Sequence, residues 1–531
     1  MIDPGSLVAL MAAAATSPHA VLDVRERGPY EKGHIFRATS LPRRQLETRL
    51  PGLVTAPTTP IVLVDEDGGL AELARPTLAD MGYRDVRVLR GGVRGWRAEG
   101  RRLVQGFNVP SKVFGERMLH EMNTPEVSCE ELDRRMKAGA DFVLVDSRTP
   151  EEYHRACIPG AVSMPGAELV LRIGELVKSP DQPIVVHCGG RTRSYIGAES
   201  LRRMGLPNPI MALKNGTMGW HLAGLTLEEG ARRWAPAPSP HGRANAAQVA
   251  RRVAQELDLR FVTPDELRAL WARRADQNLY VLDVRTSDEY AAGHVAGAVW
   301  APGGQAVQAT DEYVAVAGAT VVFACDDESR AVMTAAWYVK MGFPRLAVLR
   351  GGLPAWQAAG GAVETGHAAP VPAGLEAARR AVRLVAPGPL GDATVLCVDT
   401  SDVYARGHVP GAAWLCRSRL ERVAPAAAPD RARPVVVTCA DGMQSALAGA
   451  TLARLGHADV RVVDGGLARW KDAGQPVETG ATRLLDEADD VVPRPFDRGR
   501  AGMEAYLQWE EALDMEGGSP HELIPPAARP A

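Results

Sequence analysis

Three cysteines of the 531-residue chain stand where a thiolate would have chemistry to do: Cys188, Cys325 and Cys439. Each ends a short apolar run (residues 183–187, 320–324 and 434–438) and opens a short loop into a stretch with alanines and leucines at helical spacing. Such a run, bounded by turn formers, reads as a strand buried on both faces. A cysteine at its end meets the converging N–H groups of the loop and the positive end of the next helix, which favour a thiolate and would hold an anion attached to it. The predicted chemistry is nucleophilic, with a group carried transiently on sulfur. The loop after Cys188 reads Gly189-Gly190-Arg191-Thr192-Arg193-Ser194. Its glycines let the backbone curl, and Arg191 and Arg193 offer forked donors to an oxyanion.

The elements that position these cysteines come from a fourfold repeat, the feature to seek first in a long chain. With Asp23, Asp146, Asp283 and Cys397 as origins, Asp65, Cys188, Cys325 and Cys439 all lie 42 residues on, and Gly82, Gly205, Gly342 and Gly456 a further 17. Trp96, Trp220, Trp356 and Trp470 close the units, most simply as core anchors. The alternation of strand and helix predicts an α/β fold in four tandem domains, each a parallel sheet with helices on both faces and its landmark residue at the ligand-binding end of a strand. Boundaries are expected at 1–105, 124–234, 258–366 and 375–480, with Pro/Ala linkers at 235–240 and 366–372 and a tail at 481–531. The tail holds an acidic helical stretch at 502–515 with no legible chemistry.

Composition narrows the class. A net charge of −3 argues against a dedicated nucleic-acid binder, and no window is apolar enough to span a membrane. Seven cysteines without CxxC pairs or zinc-type spacing form neither a disulfide framework nor a metal site. That usage, with a start that lacks a basic n-region, leads us to expect a cytoplasmic protein and a helix rather than a signal peptide at 7–15.

The Asp-x-Arg strand, the Gly-His-Ile/Val turn (Gly33-His34, Gly293-His294, Gly407-His408), the strand-ending cysteine loop and the Gly-Gly-x-x-x-Trp helix together resemble the rhodanese (sulfurtransferase) family. The resemblance implies transfer of sulfane sulfur through a cysteine persulfide. The donor would be a small anion such as thiosulfate, with mercaptopyruvate also open, and the acceptor a thiol or cyanide. No metal, organic cofactor, nucleic acid or membrane is implied. Cys188 is the principal candidate, with Gly189, Gly190, Arg191, Thr192, Arg193 and Ser194 as its substrate loop. Cys325 and Cys439 are secondary. Arg330 matches Arg193, but Asp326, Asp327 and Glu328 disfavour an anionic donor, and copy four carries Gln444 in place of that arginine. Copy one, with Asp65, cannot form a persulfide. Two-domain members of the family pack a degenerate domain on an active one, so the resemblance implies that copy one pairs with copy two and copy three with copy four, packing around a shared centre being the alternative.

Two other function classes compete. A phosphatase or arsenate reductase, as in related folds, would use a cysteine and an arginine in the same way, but only four residues separate Cys188 from Arg193, one fewer than in those relatives, and the shorter cradle suits sulfur better than a phosphoryl group. A non-enzymatic sulfur-relay or docking scaffold would account for the degenerate copies. The turn histidines read as structural. Cys157, which replaces one of them, reads as a small apolar substitution in preference to a resolving thiol.

Overall fold

The computed structural model describes residues 1–513, which include all four copies. Each copy is an open parallel sheet flanked by helices. In copy two the strands run in the order Glu126–Val127, Ile210–Leu213, Ile184–His187, Val143–Asp146 and Val162–Ser163, all parallel. Copies three and four repeat this order, and in copy one Ile2 makes a single parallel bridge to Leu89 at the position of the first strand. The central strands are buried on both faces, as their unbroken apolar runs require. The outermost strands of copy two have two residues each, too few to carry a sequence period.

The glycine 17 residues beyond each landmark takes positive φ at the end of the loop helix, 77° at Gly205 and 85° at Gly342. The four tryptophans are buried, and each donates its Nε1–H to a backbone carbonyl six residues on. They are core anchors.

The chain forms two compact units, and their composition corrects the expected pairing. One unit joins copy one to copy four, and the other joins copy two to copy three together with the C-terminal helix. The residues at the contact supply the reason. Between copies two and three, Gly166 packs against Gly304 so closely that a Cβ on either would come within 3.0 Å of the other's backbone. Where copies two and three have Gly166 and Gly303, copies one and four have Arg43 and Arg417: Arg43 pairs with Glu421 at 2.6 Å, and Arg417 pairs with Glu47 through both guanidinium Nη atoms. A glycine face and an arginine–glutamate face each complement their own kind.

One backbone device recurs in all four copies. Gly92, Gly216, Gly352 and Gly466 open the tryptophan helix with φ of 50–60°, and a Cβ there would collide with the carbonyl oxygen of Asp65, Cys188, Cys325 or Cys439. That close approach lets the next residue, Thr217 in copy two, donate its N–H to the Cys188 carbonyl at 2.9 Å. The Gly-Gly pair therefore braces the loop from beneath. Gly216→Ala should cost about 3 kcal/mol or more in urea unfolding, against about 1 kcal/mol for Gly224→Ala, which has positive φ but open space around it. Equal losses in the two variants would contradict this bracing.

Candidate functional site

The turn after each central strand presents N–H groups that need an acceptor. In copy one the Asp65 carboxylate takes them, accepting from Gly68 and Leu70 at 2.5 Å and from Ala71 at 3.0 Å. In copy four the sulfur of Cys439 accepts from the N–H groups of Gly442 (3.2 Å) and Ser445 (3.3 Å), and its thiol donates to the Ser445 hydroxyl oxygen (3.3 Å). In copy two the Ser194 hydroxyl donates to Cys188 Sγ at 3.1 Å. The landmark side chain thus lies in a cradle built for a negative charge, and Cys188 itself is 2% exposed.

What distinguishes the copies is the charge around the cradle. Arg148 is locked to Asp146 by Nε and Nη2 and to the Ala156 carbonyl by Nη2. In copies one and three the equivalent Arg25 and Arg285 spend Nη1 on Glu66 and Asp326, the residue after the landmark. Copy two has Gly189 there, with no side chain to occupy that nitrogen. A Cβ on Gly189 would sit 3.8 Å from Arg148 Cδ and 4.0 Å from Arg193 Nη2, so two arginine side chains flank the residue next to Cys188. Arg193 is held by Glu152 at 2.7 and 2.8 Å and by the amide oxygen of Gln305 at 2.9 Å. The ion pair holds the Glu152 carboxyl down at about 2.

Arg191 and Thr192 depart from the expected role. Arg191 turns away from the cradle, pairing with Glu116 at 2.7 Å, Glu511 at 2.9 Å and the side-chain oxygen of Asn215. The Thr192 hydroxyl donates to Glu510 Oε1 at 3.1 Å. The structure therefore gathers Gly189, Gly190, Arg193 and Ser194 at Cys188 and gives Arg191 and Thr192 to the neighbouring helices Val109–Glu121 and Gly499–Ala512. This also corrects the view that the tail carries no legible chemistry. Its helix, expected at 502–515 and found at Gly499–Ala512, with residues 514–515 outside the described range, places Tyr506 and Glu510 over Gly190. There Glu510 receives an ion pair from the buried Lys112 at 2.8 Å.

In copy three Arg330 is surrounded by Glu168 (2.7 Å), Glu289 (2.7 Å) and Asp326 (3.0 Å). Burial pushes the Cys325 thiol up to about 12, with Asp327 adding to the shift and Arg330 opposing it. Copy four has Asp399 where copy two has Arg148, and Asp399 accepts from the Ala440 N–H. Burial, reinforced by Asp399 and Asp441, raises the Cys439 thiol to about 12 against the donors around its sulfur.

The turn histidines are structural. His34, His294 and His408 stack on Tyr30, Tyr290 and Tyr404 at ring separations of 3.6–3.8 Å, and burial drives His34 down to about 3. Cys157 packs with Tyr153, Ile158 and Trp220 in a core cluster that does not include Cys188, and burial raises its thiol to about 11. The sequence reading passed over Glu152 and Gln305. A signal for the first was present: a glutamate six residues after the origin occurs in copies two and three, the two copies with a loop arginine, and is replaced by Pro29 and Val403 in the others.

Comparison with known proteins agrees with this architecture. The family model described as "Rhodanese-like domain" matches residues 4–99, 128–223, 263–359 and 388–473. A crystal structure of a thiosulfate sulfurtransferase from Pseudomonas aeruginosa superposes with a TM-score of 0.89 at 38% identity, covering 97% of each chain. A thiosulfate sulfurtransferase of Azotobacter vinelandii is 29% identical over 247 residues, 39% of this chain and 89% of that protein. A 113-residue stretch, 21% of this chain, is 37% identical to an HTH-type transcriptional regulator of Mycobacterium tuberculosis and spans 48% of that protein's length. With four matched domains that together cover most of its length, the chain belongs to the rhodanese family.

Proposed function

We propose that the protein is a sulfurtransferase whose working site is copy two, with Cys188 as the nucleophile and thiosulfate or a similar small anion as the donor. The Cys188 thiolate attacks the outer sulfur of thiosulfate, a sulfur–sulfur bond forms, and sulfite departs with the electron pair of the bond that breaks. Cyanide or a thiolate then attacks the outer sulfur of the persulfide, taking it away as thiocyanate or as a new persulfide and returning Cys188 as thiolate. The observation that carries this reading is the approach of two arginine side chains, Arg148 and Arg193, to the residue after Cys188, on a loop that itself bears no carboxylate. The names of the Pseudomonas and Azotobacter relatives support the donor class. Cys325 and Cys439 stand as secondary sites, each disfavoured by nearby acids.

Incubation with thiosulfate followed by peptide mass analysis should place one added sulfur atom on the Cys188 peptide. Sulfur found on the Cys325 or Cys439 peptide instead would reverse the ranking. Thiol reactivity gives an independent check. A thiol raised to about 12 is ionised in only about one molecule in ten thousand at pH 8, and the fraction grows tenfold per pH unit. Iodoacetamide at pH 8 should therefore label Cys325 and Cys439 slowly, with labelling that climbs steadily through pH 10. Rapid labelling of either at pH 8 would count against the charge argument.

A further inference from the structure

The loop arginines of copies two and three reach across to each other's domain. Arg193 donates to Gln305 Oε1 of copy three at 2.9 Å, and Arg330 donates to Glu168 Oε1 of copy two at 2.7 Å. Glu168 and Gln305 occupy the same position of the repeat, 22 residues after Asp146 and Asp283. The exchange is reciprocal in geometry and unequal in charge. Arg193 meets one carboxylate, Glu152, and a neutral amide. Arg330 meets three carboxylates, Glu168, Glu289 and Asp326, and lies 1% exposed among them. The two domains share a fold and a loop arginine, and at this crossing they differ by one carboxylate.

We infer that Gln305, supplied by copy three, is a positioning residue that sets the donor specificity of the Cys188 loop. Its amide oxygen fixes the Arg193 guanidinium without neutralising it further, so positive charge is left to favour an anionic donor. Glu168, which is also paired with Arg172 at 2.5 Å, performs the converse act on copy three: it gives Arg330 a third carboxylate partner and so leaves less positive charge to draw an anion to Cys325. The degenerate partner domain thereby shapes the active one through a side chain that touches neither the sulfur nor the donor. This inference rests on copy two being the sulfur-transfer site.

The test is steady-state thiosulfate:cyanide kinetics for the wild type, Gln305→Glu and Gln305→Ala at low and high ionic strength, beside an uncharged dialkyl trisulfide as donor. Gln305→Glu adds a negative charge at a hydrogen-bonding distance from Arg193 and should raise KM for thiosulfate about tenfold at low salt, less at high salt, with the uncharged donor within about twofold. Gln305→Ala removes the hydrogen bond but adds no charge and should change KM for thiosulfate by about threefold at most. An unchanged KM in Gln305→Glu, an equal effect in Gln305→Ala, or an equal loss with the uncharged donor overturns the inference. A wild-type protein that takes no sulfur onto Cys188 overturns the proposed function and this inference together, whereas a wild type that loads while Gln305→Glu keeps its KM overturns the inference alone. Glu168→Gln gives a second reading should Gln305→Glu fail to fold. It should raise the ratio of iodoacetate to iodoacetamide reactivity at Cys325 severalfold, and an unchanged ratio overturns the account.

Discussion

The fold depends on an acceptor at the end of each central strand. The turn that follows turns its N–H groups inward and runs into a helix N-terminus, so an uncharged apolar side chain there would leave those donors unsatisfied. All four copies meet this demand with an acid or a thiol, and copy one does so with the oxygens of Asp65. The Asp65 carboxyl stands there as a tethered acceptor, which explains why a domain without a cysteine keeps the architecture of those that have one. The glycine that opens each tryptophan helix fixes the other side of the turn by pressing against the landmark carbonyl.

Since the backbone is common, the copies differ in electrostatics. Copy two brings Arg148 and Arg193 to a cysteine with no acidic residue on its loop. Copy three keeps both arginines but surrounds Arg330 with carboxylates, and copy four exchanges one arginine for Asp399 and the other for Gln444. The buried Asp146–Arg148 pair adds little net stability by itself, since desolvation offsets most of its attraction. Its contribution is to aim a guanidinium at the loop. The ion pairs of Arg193 do the same work, and there the partners come from two domains.

Much of this was legible in the sequence because the repeat supplied four readings of one pattern. The constant offset from strand to landmark, the loop-helix glycine and the tryptophan were visible as spacing, and they located the sheet, the turn and the core anchor. The two-residue edge strands were not visible, since a period cannot be read from two residues. The domain pairing was encoded, with Arg43 and Glu47 recurring as Arg417 and Glu421 where the middle copies have Gly166 with Val170 and Gly303 with Val307, but it becomes readable only when those positions are known to touch. Arg191 and Arg193 look alike on paper. They point to opposite sides because they are two apart at the start of a helix, and what lies on the Arg191 side is a helix 320 residues further along the chain. No local pattern carries that contact.

The most direct measurement is thiosulfate:cyanide turnover in the three single variants Cys188→Ser, Cys325→Ser and Cys439→Ser. If charge around a common cradle decides which copy works, Cys188→Ser loses turnover while the other two stay within about twofold of the wild type. Turnover that survives Cys188→Ser, or that is lost in Cys325→Ser or Cys439→Ser with Cys188 intact, would contradict the account.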